Sequence, residues 1–123
     1  MANVANYVYK MTINGEKVTT NKTMPVINPA TEEVLAEVPV ASREDLDNAV
    51  NAARKALPGW RAKSIEERRS YINKLADAIQ DNKEELAKLL TLEQGKPLSF
   101  ANIELDLTVN WCRETAKLNL ESE

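Results

Sequence analysis

Two carboxylates, Glu104 and Asp106, flank a run of large apolar residues, Phe100, Ile103, Leu107, Trp111 and Leu118. At 100° per residue those five share one side of a helix. A carboxylate set in apolar surroundings suits proton transfer, because desolvation raises an acid's pKa toward neutrality. Lys96 and Arg113 are the nearby cations able to polarise a carbonyl. Trp111 would supply a flat wall, with Ile103 and Leu107 beside it, for a small apolar substrate. This set fits cofactor-free chemistry such as cyclisation or isomerisation, with Glu104 or Asp106 moving the proton. A plainer reading stands beside it. Charges flanking an apolar stripe usually meet solvent, and large apolar residues at helical spacing usually pack.

Composition narrows the other chemistry. The 123 residues contain no histidine and a single cysteine, Cys112. No metal site is therefore expected, since imidazole and paired thiolates are the common zinc ligands, and no internal disulfide is available. A lone thiol suits a reducing compartment, and Cys112 falls on the smaller apolar stripe as a structural thiol. With 43% hydrophobic and 28% charged residues the chain is a normal globular mix. A net charge of −3 with both signs interspersed gives no footprint for nucleic acid. The opening Met-Ala-Asn-Val-Ala-Asn-Tyr lacks a basic and then apolar leader, and no apolar run would span a bilayer. The expectation is a cytoplasmic protein with no membrane partner.

The elements that must position these residues fall in two blocks. Residues 1–41 read as β-ribbons. Tyr7 to Ile13 leads into Asn14-Gly15, a dipeptide favoured where both turn residues need positive φ, and Glu16 to Thr20 returns. Pro25-Val26-Ile27, the turn Asn28 to Thr31, and Glu33 to Val40 make a second pair, with Pro39 suiting an edge. Residues 42–118 read as four helices. Ser42 caps the first, which Pro58-Gly59 should end. Ser64 and Glu67 form a capping box for the second, with stripe Ile72, Leu75, Ala76 and Ile79. Asn82 should cap the third, burying Leu86, Leu89 and Leu90 before Gly95 stops it. Ser99 should start the fourth. The fold class expected is α+β: hairpins, then a four-helix segment, in one domain over 1–123.

The fourth helix carries a second apolar side, Leu105, Val109, Cys112 and Ala116, opposite the large one. A surface helix needs only one stripe. Two imply either the centre of a bundle or a side covered by another subunit, and a chain this short supplies little to cover both. A homo-oligomer, in the simplest case a dimer, is the partner expected.

Several stretches taken in order resemble the opening of the aldehyde dehydrogenase superfamily. They are Ile13-Asn14-Gly15-Glu16, Val26 to Thr31, Ala56 to Arg61, Glu66 to Arg69 with Leu75-Ala76-Asp77, and most specifically Leu90 to Leu98. The last is similar to succinate-semialdehyde-dehydrogenase-like members. The resemblance implies a truncated homologue. The family's oligomerisation hairpin, NAD-binding and catalytic regions have no counterpart here, and its nucleophilic cysteine sits in a Gly-Gln-x-Cys type motif unlike Asn110-Trp111-Cys112-Arg113. Only three glycines occur in the chain, with no phosphate-binding loop, so no cofactor is expected to bind. The resemblance places Ile103, Glu104 and Leu107 at the border of an aldehyde channel, with Trp111 one turn further. It leaves three functions open: a repurposed cofactor-free enzyme, a non-catalytic pseudoenzyme docking on itself or on a paralogous dehydrogenase, and a fragment of an NAD(P)-dependent dehydrogenase.

Overall fold

The computed structural model describes residues 8–119; Tyr7, expected in the first strand, lies outside them. In chain order the elements are β1 Met11–Ile13, β2 Glu16–Val18, β3 Thr23–Ile27, β4 Val34–Pro39, α1 Arg43–Arg61, α2 Ile65–Asp81, α3 Lys83–Gln94 and α4 Leu98–Lys117. The class is α+β, as expected: two antiparallel strand pairs, β1-β2 and β3-β4, and then the helices. The chain divides into two compact units, residues 1–62 and 63–123.

In the first unit, local turn chemistry sets the ribbons. Asn14 and Gly15 have φ of 54° and 80°, the left-handed pair that a tight hairpin demands. Ile13 faces Glu16, and Met11 faces Val18. Asn28 organises the second turn: its side-chain carbonyl accepts from the Ala30 N–H at 2.9 Å and its backbone carbonyl accepts from the Glu32 N–H at 2.8 Å. The β3-β4 register shifts between Val26 and Ile27, where Leu35 is the extra residue. Ser42 and Asp45 close a reciprocal capping box on α1.

Helix α1 runs past Pro58-Gly59 to Arg61, which corrects the expected stop. Proline removes its own donor and its ring crowds the carbonyl four residues back, which can bend a helix without ending it. Its own carbonyl still accepts, and the Ala62 N–H reaches the Pro58 oxygen at 3.0 Å. No residue of α1 is buried. Ala49, Ala52, Ala53 and Ala56 line a cleft of about 350 Å³ against the β1-β2 turn, while Leu46, Val50 and Leu57 are exposed.

In the second unit α4 packs on both α2 and α3. The Ser64–Glu67 capping box opens α2 as expected. Asn82 does something else. Its side-chain N–H donates back to the Ala78 carbonyl at 2.8 Å, so it closes α2 and leaves α3 without a side-chain cap. The reason is geometric: at φ −107° and ψ 13° the Asn82 backbone is not in the extended conformation from which an N-cap side chain reaches the following N–H groups. Gly95, at φ 70°, ends α3, and α4 begins at Leu98, one residue ahead of Ser99.

Small side chains make this core. Among the described residues the buried positions are Ala76, Ala87, Ala101, Leu105 and Ala116. Ala87 of α3 meets Ala101 and Leu105 of α4, with Ile79, Leu86 and Leu90 packed at the margin. Leu86, Leu89 and Leu90, expected inside, are only half-buried. Two facing alanines let helix backbones approach closely, so the leucines flank the contact instead of filling it.

Candidate functional site

The smaller apolar side of α4 is the covered one. Leu105 and Ala116 are buried, and Val109 and Cys112 are half-buried. The larger side faces outward: Phe100, Ile103, Leu107, Trp111 and Leu118 are 49% to 70% exposed. Every large apolar residue assigned to substrate contact from the sequence, Ile103, Leu107 and Trp111, therefore lies on an open helix face.

The charged residues assigned to chemistry are distributed as struts. The Lys96 ammonium pairs with the Glu104 carboxylate, tying the turn before α4 to its second turn. Lys83, at the start of α3, reaches Asp106 at 2.5 Å. Arg113 turns toward α2, donating to the Asn73 carbonyl and side-chain oxygen at 3.1 and 3.2 Å and pairing with Asp77 at 2.5 Å. Arg69 of α2 donates to the Leu118 carbonyl at 2.7 Å, which satisfies an orphan group at the end of α4. The geometry thus brings Lys96 and Glu104 together. Asp106 and Arg113 it directs to separate helices.

Four partners escaped the sequence reading: Lys83, Asn73, Asp77 and Arg69. Their separations from their partners on α4 and its C-cap, 23 to 49 residues, carry no helical spacing, so no local signal could have found them. Two clefts lie away from the open side of α4. One of about 380 Å³ sits between β3-β4 and the segment near Tyr9, and another of about 300 Å³ lies between the end of α2 and the start of α3. Among the described residues no group of three candidate side chains could hold a metal ion. No described helix is long and apolar enough to cross a membrane.

Carboxylates stand in the first turns of α1, α2 and α3, while α4 has none there. At α1, Asp45 accepts from the Ser42 hydroxyl and backbone N–H at 2.7 and 2.8 Å, and these bonds hold its pKa below the usual range. At α2, the Ser64 N–H and then Lys63 do the same for Glu67. In the first turn of α3 Glu84 is lowered by Lys88. The strands are antiparallel ribbons, with no parallel strand-helix-strand unit among the described residues.

A sequence profile described as the aldehyde dehydrogenase family matches residues 17–122. The chain belongs to that family. It is 39% identical over 110 residues to glutarate-semialdehyde dehydrogenase of Pseudomonas putida, covering 85% of this chain and 23% of that relative. Against malonate-semialdehyde dehydrogenase of Bacillus velezensis it is 44% identical over 86 residues, 68% of this chain and 18% of the relative. The solved aldehyde dehydrogenase of Bacillus cereus, a G224D mutant, superposes with a TM-score of 0.85 at 45% identity, over 90% of this chain and 24% of that one. The chain thus spans about a quarter of the length of these aldehyde dehydrogenases, as their N-terminal segment. The resemblance, which runs from about Met11 to Leu118, holds, and the ribbons and helices are those of the family's N-terminal region.

Proposed function

We propose that this chain is the structural N-terminal segment of an NAD(P)-dependent aldehyde dehydrogenase acting on a semialdehyde, and that it contributes surface and no reacting group. Each candidate catalytic carboxylate being held by a lysine is the observation that carries this. Glu104 and Asp106 have their nearest proton-bearing partners in Lys96 and Lys83, which belong to the scaffold. The semialdehyde names of the relatives support the substrate class. Nucleotide binding and hydride chemistry fall to the three quarters of the family length outside this chain.

Two measurements test it. Calorimetry of the purified chain with NAD and with NADP should show no heat of binding; micromolar affinity for either would overturn the assignment of cofactor chemistry elsewhere. Grafting residues 17–118 into the Pseudomonas putida glutarate-semialdehyde dehydrogenase, in place of its own segment, should retain oxidation. A folded chimera without activity would show that this segment has left the role of its relatives. Cofactor-free cyclisation or isomerisation at Glu104 or Asp106 draws only on the apolar surface of α4. Docking on a paralogous dehydrogenase draws on that same surface.

We further propose that the isolated chain is a homo-oligomer joined through the open side of α4. Exposed aromatic and leucine surface on a rigid helix is costly to leave in water. A lone thiol suits a reducing cytoplasm.

A further inference from the structure

Asn14 is the one asparagine of the chain that is followed by glycine, and asparagine is among the chemically labile side chains. Both residues are exposed at the tip of the β1-β2 hairpin. Among the described residues nothing hydrogen-bonds to the Asn14 carboxamide or to the Gly15 N–H. A side chain added at Gly15 would meet nothing within 4 Å, so the space beside its nitrogen is open. Gln94-Gly95 makes the contrast. There the Gly95 N–H is held by the Thr91 carbonyl at 2.9 Å, and a glutamine would have to close a larger ring.

We propose that Asn14 is a site of spontaneous deamidation, gated by opening of the β1-β2 hairpin. The Gly15 backbone nitrogen gives up its proton and attacks the Asn14 Cγ. A C–N bond forms, the Cγ–Nδ2 bond breaks, and Nδ2 leaves as ammonia with that proton. Water then opens the resulting succinimide at either carbonyl, to aspartate or to isoaspartate. No oxidant or reductant takes part.

The gate follows from the turn. The φ values of 54° and 80° are those of a type I′ turn, in which ψ of the first residue is about 30°. That angle points the Gly15 nitrogen away from the Asn14 side chain. Ring closure needs the bond rotated, so the turn must open first. Three-residue strands in a two-stranded ribbon hold it only weakly. The products matter locally. Isoaspartate adds a main-chain carbon for which a two-residue turn has no place. Either product sets a new carboxylate in the cleft that Asn14 and Gly15 share with Ala49, Ala52, Ala53 and Ala56, where an unpaired charge is costly.

The test follows the whole chain in mildly alkaline buffer, with and without guanidinium chloride, by peptide mass mapping. A gain of about 1 Da should appear first in the peptide holding Asn14, as both aspartate and isoaspartate. It should be roughly tenfold faster in denaturant, where the gate is gone. Gly15→Ala crowds the attacking nitrogen and should slow the denatured reaction roughly tenfold, a comparison that its strain on the hairpin does not enter. Earlier gain at other asparagines, or no gain in the native chain after roughly one hundred denatured half-times, would overturn the site. Equal native and denatured rates would overturn the gate.

Discussion

The two sides of α4 carry apolar residues in similar number, yet one is inside and the other is not. The covered side is built from Ala101, Leu105, Val109, Cys112 and Ala116; the open side holds Phe100, Ile103, Leu107, Trp111 and Leu118. Hydrophobicity alone would have put the larger residues in the core. Size decides instead. α2 and α3 meet α4 through alanine, and a close approach of backbones leaves no space for a ring. The large residues stay on the open side, and the small ones make the contact with α2 and α3.

The sharpest way to break that comparison is to truncate one leucine from each side. Leu105 is 8% exposed and touches Ala87 and Ala101. Leu105→Ala should cost about 3 kcal/mol, read from the urea midpoint, because a cavity forms where neighbouring helices cannot collapse. Leu107→Ala, measured at low protein concentration, should cost about 0.5 kcal/mol or less. Equal losses would mean that the open side is not open in solution.

What was legible from sequence follows the same division between local and distant causes. Asn14-Gly15, the cap at Ser42, the capping box at Ser64, and the αL stop at Gly95 depend on neighbours within a few residues, and each is where the sequence placed it. The two-sidedness of α4 was legible because helical periodicity is local too. Which side would be covered was not, since that depends on the alanines of other helices. Pro58 misled because a proline's lost donor and crowded ring can be absorbed by a helix that continues past it, its own carbonyl still accepting from Ala62. Asn82 misled because its backbone takes φ −107° and ψ 13°, where an N-cap needs an extended residue. The site suffered most: Lys83 and Asp77 reach α4 across a fold that no spacing encodes.

A local cap should behave alike whatever covers α4, which sharpens the contrast with the truncations. Ser64→Ala removes the oxygen that accepts from the Glu67 N–H at 3.1 Å and should cost about 1 kcal/mol of stability at neutral pH. The Glu67 carboxylate is held below its usual range, chiefly by the Ser64 backbone N–H. A depressed carboxylate contributes stability that is fully present above its unfolded value and is lost as pH falls through the folded one. The loss should therefore appear on the acid side, from about pH 5 downward. Glu67→Gln should flatten that limb of the stability curve. An unchanged acid limb would show that the box is not formed in solution.

The smallest effect expected is at the carboxylates themselves, and it bears on whether the open side does chemistry or only borders it. Asp106 is more than half exposed and Lys83 about a quarter. An ion pair so placed is weakened by solvent screening, so a double-mutant cycle of Lys83→Met and Asp106→Asn should return a coupling of about 0.2–1 kcal/mol, shrinking with added salt. Glu104→Gln should behave similarly, since Lys96 and Glu104 meet at the surface. A proton-transfer role predicts something different: in the grafted chimera, Asp106→Asn or Glu104→Gln would lower the rate by roughly two to four orders of magnitude with the fold intact. As struts they should leave the chimera's rate within about twofold and shift only its stability, because removing a surface ion pair moves no group that touches substrate. A large rate loss in either amide variant would move that carboxylate from scaffold to mechanism.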